Sequence, residues 1–193
     1  MSRVVAVEHL TLDGVMQAPG HPDEDRRDSI AYGGWAPPYR DEVMAANMSG
    51  GAPGEGRFLF GRRTFEHFAS VWPKQPEDNP YTRVLNEGHK YVASTTLSEP
   101  LDWANATLLG ADVPAAVAEL RAGSGGDLVI LGSGELVRSL LAAGQIDELK
   151  LNIHPLVLGT GRRLFADADL AKLRRVDSKP TTTGVLLTTY APA

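Results

Sequence analysis

Three short segments of the sequence combine glycine, hydroxyl and arginine residues in a way that suits the binding of phosphate groups. The segments are FGRRTF, VASTTL and ILGSGEL, and each begins with apolar residues that are typical of a strand. Glycine lets a backbone approach a ligand closely, and an arginine fork binds phosphate oxygens through paired hydrogen bonds. The segments therefore predict a site for a ligand that carries several phosphates.

Each segment taken alone has a simpler explanation as a turn. Paired arginines after a strand are commonly solvated, serine and threonine clusters commonly cap turns, and glycine pairs commonly link a strand to a helix. Their occurrence at successive strand ends favours a shared site, because ligands of open α/β sheets bind beyond the carboxyl ends of the strands. The residues that the segments contribute are Gly61, Arg62, Arg63, Thr64, Ser94, Thr95, Thr96, Gly132, Ser133 and Gly134.

Strand and helix patterns alternate along the chain and place these segments where strands end. Apolar and β-branched runs predict strands at residues 3–12, 57–61, 90–94, 106–110, 127–132 and 148–159. Helical spacing predicts helices at residues 39–49, with Pro37 and Pro38 at the start, and at 64–72, 113–123 and 134–144. Residues 173–192 predict two strands around a turn. We therefore expect a single α/β domain over residues 1–193, with helices flanking a mixed, mostly parallel central sheet that ends in a C-terminal antiparallel strand pair.

The composition excludes several classes of protein. The 193 residues carry a formal net charge of −5, whereas nucleic-acid-binding domains usually carry a basic excess. The absence of cysteine excludes disulfides, thiol catalysis and thiolate metal sites, and the five histidines show no H-E-x-x-H spacing, so no metal site is predicted. No apolar run reaches the roughly 18 residues of a membrane span, and the N-terminus shows no signal-peptide pattern. We expect a cytoplasmic protein that binds neither nucleic acid nor membrane.

The glycine pattern also excludes two common enzyme sites. A Rossmann fingerprint requires G-x-G-x-x-G at the first strand, whereas the glycine pair here follows the fifth strand and Val137 occupies the third glycine position. Ser94 and Ser133 do not lie in a G-x-S-x-G elbow, so a serine hydrolase is not predicted.

The order of several motifs resembles the dihydrofolate reductase-like superfamily. TLDG, GRRTFE, ASTTL, ILGSGELVRSLLAAGQIDEL and HPLVLGTGRRLF follow one another as they do there, and the resemblance covers residues 3–190. The branch that the chain resembles most contains the reductase domain of the bifunctional riboflavin biosynthesis protein. This resemblance implies a dihydrofolate reductase-like fold.

The resemblance also implies NADPH as the cofactor and assigns its contacts. Arg62, Ser94 and Thr95 would bind the 2′-phosphate, which favours NADPH over NADH. Arg63 and Thr64 would hold the pyrophosphate from one side through the helix N-terminus. The residues that would hold it from the other side are Gly132, Ser133, Gly134, Glu135 and Leu136.

The substrate side leaves alternatives open. Dihydrofolate reductases bind the pterin with one carboxylate on the helix after the long first loop, where this chain offers Asp41 and Glu42, and Asp13 is the other candidate. Asp13 or Asp41 would assist protonation directly or through water. A tight turn is the alternative explanation for Asp13. Tyr32, Trp35 and Tyr39 could form a wall on which a planar heterocycle stacks, or could anchor the loop as core residues.

The sequence thus predicts an NADPH-dependent reductase that transfers hydride to a planar heterocycle. The substrate would be a pterin or an aminopyrimidine, as for dihydrofolate reductase or the riboflavin-pathway reductase of 5-amino-6-(5-phosphoribosylamino)uracil. An NADPH-binding regulatory or sensor protein without turnover is the alternative, because Leu131 stands where the riboflavin-pathway enzyme usually carries an acidic residue. The resemblance also allows a homodimer.

Overall fold

A computed structural model gives the structure of the protein and describes residues 1–27, 30–48, 55–166 and 170–193. Their strands and helices are, in chain order, β1 (Val4–Thr11), α1 (Glu42–Met48), β2 (Arg57–Gly61), α2 (Arg62–Val71), α3 (Pro80–Glu87), β3 (His89–Ala93), β4 (Ala106–Leu109), α4 (Val113–Ala122), β5 (Leu128–Leu131), α5 (Gly134–Ala142), β6 (Glu148–His154), β7 (Leu173–Pro180) and β8 (Leu186–Pro192). The chain divides into two compact units. The first comprises Met1–Ala6 and Gly50–Asp147, and the second comprises Val7–Ser49 and Glu148–Ala193. The expectation of a single domain stays a prediction.

The first unit carries a parallel sheet with the strand order β4-β3-β2-β5-β1. Strand β2 pairs in parallel with both β3 and β5, and β3 pairs in parallel with β4. One hydrophobic cluster of this unit is mainly aromatic and contains Phe58, Phe60, Phe65, Leu85, Val92 and Trp103. Because parallel strands end at one edge of their sheet, the residues that follow β2, β3 and β5 share that edge.

The second unit carries strands in the order β6-β8-β7. Strand β8 pairs in antiparallel fashion with β6 and with β7. Helix α1 packs on β8 through a buried cluster of Met44, Val185 and Leu187. The predicted α/β fold, with a mostly parallel sheet and an antiparallel C-terminal strand pair, is confirmed.

Two elements differ from the sequence prediction. Pro37 and Pro38 do not start a helix, because Pro37–Tyr39 forms a separate 3₁₀ turn and α1 begins only after Asp41. Helix α3 was not predicted, although Asn79 caps it by accepting a hydrogen bond from the Tyr81 N–H and a proline follows at its first position. Its short length hides the helical period, and the Asn-Pro pair was the available signal.

Candidate functional site

The three predicted phosphate-binding segments lie at one edge of the sheet of the first unit. Gly61 at the end of β2 pairs with Ala93 at the end of β3, so Arg62 and Ser94 are the next residues of neighbouring strands. The Gly61 N–H donates a hydrogen bond to the Ser133 Oγ at 3.0 Å. FGRRTF and ILGSGEL are therefore in direct contact, and the strand register brings VASTTL beside them. We call these three segments the cradle.

Two helices begin in the cradle without a side-chain cap. Helix α2 starts at Arg62 after Gly61, which offers no side-chain oxygen, and α5 starts at Gly134 after Ser133, whose hydroxyl serves Gly61 instead of its own helix. The N–H groups of an uncapped first turn, together with the helix dipole, attract an anion. The cradle residues thus fit the phosphates of a dinucleotide.

The turn between β5 and α5 requires an unusual backbone. Gly132 has φ +67°, and Ser133 follows with φ 65° and ψ 48°, a left-handed conformation that costs a non-glycine residue free energy. A Cβ added to Gly132 would lie 3.7 Å from the Thr64 Cγ2, so this backbone runs close to the start of α2. The left-handed pair turns the chain so that α5 begins beside α2.

Of the two arginines, Arg62 makes an ion pair and Arg63 is exposed. The Arg62 Nη1 lies 3.0 Å from the Glu66 Oε2 one helical turn later, and both side chains are partly exposed. Arg63 is exposed and makes no ion pair within the part of the chain that the structure describes. Because surface ion pairs contribute little, about 0–1 kcal/mol, a phosphate can displace Glu66 from Arg62 at small cost.

Ser94 of the VASTTL segment already makes hydrogen bonds within its own turn. The Ser94 Oγ accepts hydrogen bonds from the N–H groups of Thr96 and Leu97 at 3.1 and 3.0 Å, and Thr96 Oγ1 lies 3.4 Å from it. Capping therefore explains the acceptor side of Ser94, while its hydroxyl proton can still be donated. Thr95 is exposed.

Glu135 and Leu136, which were predicted to contribute to the site, both lie in the first turn of α5. Leu136 is only 7% exposed, so its side chain belongs to the core and its N–H is the group available to a ligand. Glu135 is exposed in the first turn, where its carboxylate stabilises the helix dipole. Neither side chain is suited to contact phosphate.

The three aromatic residues predicted to form a wall line the same cavity in the second unit. Tyr32, Trp35 and Tyr39 line one cavity of about 890 Å³, together with apolar residues that include Leu156 and Leu158. Trp35 is 8% exposed, and its Nε1–H donates to the Gln17 carbonyl oxygen at 2.9 Å. The structure thus brings the three aromatic residues together, and Trp35 is both part of the wall and an anchor of the loop.

Asp13 is surrounded by hydrogen-bond donors. Its carboxylate accepts from the Thr11 hydroxyl at 2.6 Å, from the N–H groups of Leu158 and Gly159 at 3.2 and 2.9 Å, and from Arg163 at 3.3 Å. The Thr11 hydrogen bond is the largest of the causes that lower the pKa of Asp13 to about 2. A carboxylate that is ionised and bound in this way holds two loops in place and does not donate a proton at neutral pH.

Asp41 is engaged in the same manner. One oxygen caps α1 by accepting from the Met44 N–H at 2.8 Å, and the other accepts from the N–H and the hydroxyl of Thr182, both at 2.7 Å. The Met44 hydrogen bond is the main cause of the lowered pKa of Asp41. The structure therefore gives both candidate carboxylates a structural use.

A histidine pair in the second unit escaped the sequence analysis as a functional candidate. The His9 Nδ1 and His154 Nε2 lie 2.9 Å apart, and the edges of Trp35 and Tyr39 pack against the His154 ring. Burial lowers the pKa of His154 to about 4 and, with the His154 and Arg40 charges, that of His9 to about 3. No spacing in the sequence signals this pair, because it depends on the register between β1 and β6.

The described residues contain neither a metal-binding cluster nor a membrane-spanning helix. Within residues 1–27, 30–48, 55–166 and 170–193, no group of three or more His, Cys, Asp or Glu side chains could hold a metal ion. Across the same ranges no helix has the length and apolar character needed to span a membrane.

Comparison with known proteins connects this geometry to a family of reductases. The family model described as "RibD C-terminal domain" matches residues 3–187. The uncharacterized protein YyaP of Bacillus subtilis (strain 168) is 29% identical over 136 residues, which cover 68% of this chain and 71% of YyaP.

Solved structures share the fold at low sequence identity. A riboflavin biosynthesis protein from Shewanella sp. PV-4 superposes with a TM-score of 0.69 at 20% identity, covering 99% of each chain. Dihydrofolate reductase from Enterococcus faecalis, complexed with NADP(H) and RAB-propyl, gives 0.62 at 15% identity, covering 98% of this chain and 96% of the enzyme. A pyrimidine reductase-like protein from Corynebacterium diphtheriae superposes with a TM-score of 0.62 at 14% identity, covering 100% of this chain and 92% of that protein. The dihydrofolate reductase-like fold expected from the motifs is confirmed.

Proposed function

The chain belongs to the RibD C-terminal domain family, and from this premise we propose that it is an NADPH-dependent reductase acting on a planar heterocycle. The observation that carries the proposal is the contact between FGRRTF and ILGSGEL, which brings two uncapped helix starts and an arginine pair to one edge of the first unit. The Enterococcus faecalis enzyme with the same fold is complexed with NADP(H), which supports the choice of cofactor.

The cradle residues would divide the phosphates between them. Arg62, released from Glu66, would bind the 2′-phosphate with the hydroxyls of Ser94 and Thr95. Arg63 and Thr64 at the start of α2 would hold the pyrophosphate together with the backbone N–H groups of Gly134, Glu135 and Leu136. Thr96 would support the turn that presents Ser94. When bound, the cofactor supplies the hydride, and the protein supplies position and electrostatic stabilisation.

The substrate in this proposal is a pterin or an aminopyrimidine that stacks on the aromatic wall of Tyr32, Trp35 and Tyr39. The lining of the cavity combines apolar and aromatic residues, which suit the face of a heterocycle, with the charged residues Asp23 and Arg26. Asp13 and Asp41 would assist protonation only through a water molecule, because their own oxygens are ionised and engaged in hydrogen bonds.

A thermal-shift titration with NADPH and NADH tests the cofactor. A ligand that binds only the native state stabilises it by RT ln(1 + [L]/Kd), or about 2.7 kcal/mol at a 100-fold excess over Kd. We expect a large shift with NADPH, a smaller one with NADH, and loss of this difference in Arg62→Ala. Arg83→Ala is a matched control, because Arg83 makes the same i, i+4 ion pair with Glu87 on α3 and lies outside the cradle. No shift with either nucleotide would overturn the proposal.

A sensor protein that binds NADPH without turnover is the second candidate. The engagement of both Asp13 and Asp41 in structural hydrogen bonds favours it, since neither carboxylate can protonate a substrate directly. NADPH binding without oxidation in the presence of pterins and aminopyrimidines would support this candidate over the reductase.

A further inference from the structure

His154 contacts residues that line the cavity of the second unit. The Trp35 and Tyr39 rings meet the His154 ring edge-on, with centroids 5.1 and 5.4 Å away and interplanar angles of 81° and 80°. The Leu156 N–H donates a hydrogen bond to the His154 carbonyl oxygen at 2.8 Å. Trp35, Tyr39 and Leu156 all line the cavity, whereas the His154 side chain is fully buried. His154 can therefore affect the shape of the cavity through the residues that contact it.

The plane of the His154 ring is fixed by its hydrogen bond to His9. The His154 Nε2 and the His9 Nδ1 lie 2.9 Å apart, and in a neutral pair one of the two nitrogens donates while the other accepts. The N–H and the lone pair of an imidazole both lie in the plane of the ring. The bond therefore determines how the His154 ring is rotated about its χ2 torsion, whose wells are broad in its absence.

Trp35 and Tyr39 also make hydrogen bonds that restrain their rings less. The Trp35 Nε1–H donates to the Gln17 carbonyl oxygen at 2.9 Å, which still allows the indole to tilt about this bond. The Tyr39 carbonyl oxygen accepts from the Thr183 hydroxyl at 2.6 Å, which holds the backbone and not the ring. The edge-on contacts with His154 supply the restraint on ring orientation that these two bonds lack.

Packing alone does not account for an imidazole at this buried position. The His154 Nδ1 has no hydrogen-bond partner among the described residues, and a buried polar atom without a partner is destabilising. An apolar ring would fill the same space without this cost. We propose that His154 is a positioning residue, whose hydrogen bond to His9 sets the orientation of the Trp35 and Tyr39 rings and so preorganises the aromatic wall. This rests on the proposed function, in which the wall receives the heterocycle.

Fluorine NMR of the protein labelled with fluorotryptophan tests the role of His154 without a ligand. Trp35 belongs to the second unit, whereas Trp72 and Trp103 belong to the first and serve as internal references. The signal that disappears in Trp35→Phe assigns the Trp35 resonance. His9→Leu removes the hydrogen bond and alters neither His154 nor Trp35. We expect the Trp35 signal of this variant to shift and broaden, while the two reference signals stay in place.

Two further variants separate the hydrogen bond from the space that His9 fills. His9→Asn keeps a donor and an acceptor on the side chain, so it should restore the wild-type Trp35 signal. His89→Leu is the matched control, because His89 bonds the Thr107 hydroxyl at 3.0 Å and its ring contacts Tyr91 in the first unit. That variant should leave the Trp35 signal unchanged.

Three results would contradict the positioning role. An unchanged Trp35 signal in His9→Leu, even with a lower melting temperature, would make the histidine pair structural. A shift as large in His9→Asn as in His9→Leu would show that the hydrogen bond is not the cause. In the wild type, nitrogen NMR of the histidine rings should find one protonated and one unprotonated nitrogen at the contact. Two unprotonated nitrogens there would remove the bond, a result that does not depend on how the variants fold.

Pterin binding connects the positioning role to the proposed function. Pterin titrated into the wild type should shift the Trp35 signal, and its affinity should fall about tenfold in His9→Leu, because binding must then order the wall. Equal pterin affinities of the two proteins would overturn the preorganisation of the wall. If pterin does not bind the wild type, it is removed from the substrate classes of the proposed function, whereas the ligand-free Trp35 signal still decides the role of His154.

Discussion

The two units of the chain differ in which polar groups are already engaged. In the first unit, α2 and α5 begin without side-chain caps, and Arg62 is paired only with a partly exposed glutamate. In the second unit, the carboxylates of Asp13 and Asp41 are held by several donors, while buried atoms of Asn152 and His154 have no partner within the described residues. The comparison shows that residue type alone does not distinguish a binding group from a structural one. What distinguishes them is whether the polar atom already has a partner within the protein.

The largest expected effect is a loss of stability at acidic pH, which arises from His154 in the second unit. Unfolded His154 takes up a proton near its ordinary pKa of 6.5, whereas burial lowers the folded pKa to about 4. Between these values the unfolded chain binds more protons, so the free energy of unfolding falls as the pH is lowered. The loss between pH 7 and pH 4 is about 3 kcal/mol for this histidine. Urea unfolding between pH 7 and pH 4 measures this loss of stability. If the free energy of unfolding of His154→Gln depended on pH as strongly as that of the wild type, the assignment of the loss to His154 would be contradicted.

The next effect separates a structural carboxylate from a binding one. Asp13→Asn removes the charge that the Thr11 hydroxyl, two backbone N–H groups and Arg163 stabilise. We expect a loss of about 2 kcal/mol of stability, typical of hydrogen bonds to a charged group, with NADPH affinity unchanged. Asp102→Asn, at an exposed position of the first unit, should change stability by less than about 0.5 kcal/mol. Equal stabilities of the two variants would show that the donors around Asp13 do not matter.

A smaller effect tests the cradle with two glycines of the same conformation. Gly132 and Gly144 have φ +67° and +66°, and an added Cβ would meet only Thr64 at the first and nothing within 4 Å at the second. Alanine should cost each position about 1 kcal/mol, because both lie in the left-handed region. Only Gly132→Ala should also weaken NADPH binding, as measured by isothermal titration. Equal affinities would remove this turn from the cofactor site.

The smallest effect concerns the competition for Arg62. Glu66→Gln removes the carboxylate that pairs with Arg62 and should tighten NADPH binding by less than about tenfold, with little change for NADH. Glu87→Gln, which breaks the equivalent pair with Arg83 on α3, should leave both affinities as they are. A weaker NADPH complex of Glu66→Gln would show that the glutamate positions Arg62 for the phosphate.

The strand ends of the first unit were predictable because local patterns specify them. The apolar run before Gly61 and the helical spacing from Phe65 to Trp72 give β2 and α2, and the glycine pair before Leu136 gives the start of α5. The site of the second unit was predicted only in part. The aromatic wall follows from residue type, but the contact of Asp13 with Gly159, that of Asp41 with Thr182 and the pairing of His9 with His154 join residues more than 140 positions apart. No local pattern contains such contacts.

Deuteride transfer tests the central claim most directly. NADPH labelled with deuterium at C4 of the nicotinamide is incubated with the protein and with a panel of pterins and aminopyrimidinones, and the products are examined by mass spectrometry. The account predicts one deuterium in a reduced heterocycle, with the label absent when Arg62→Ala replaces the wild type at low cofactor concentration. NADPH that binds and is never consumed by any of these compounds would contradict the reductase and leave a nucleotide-binding protein without turnover.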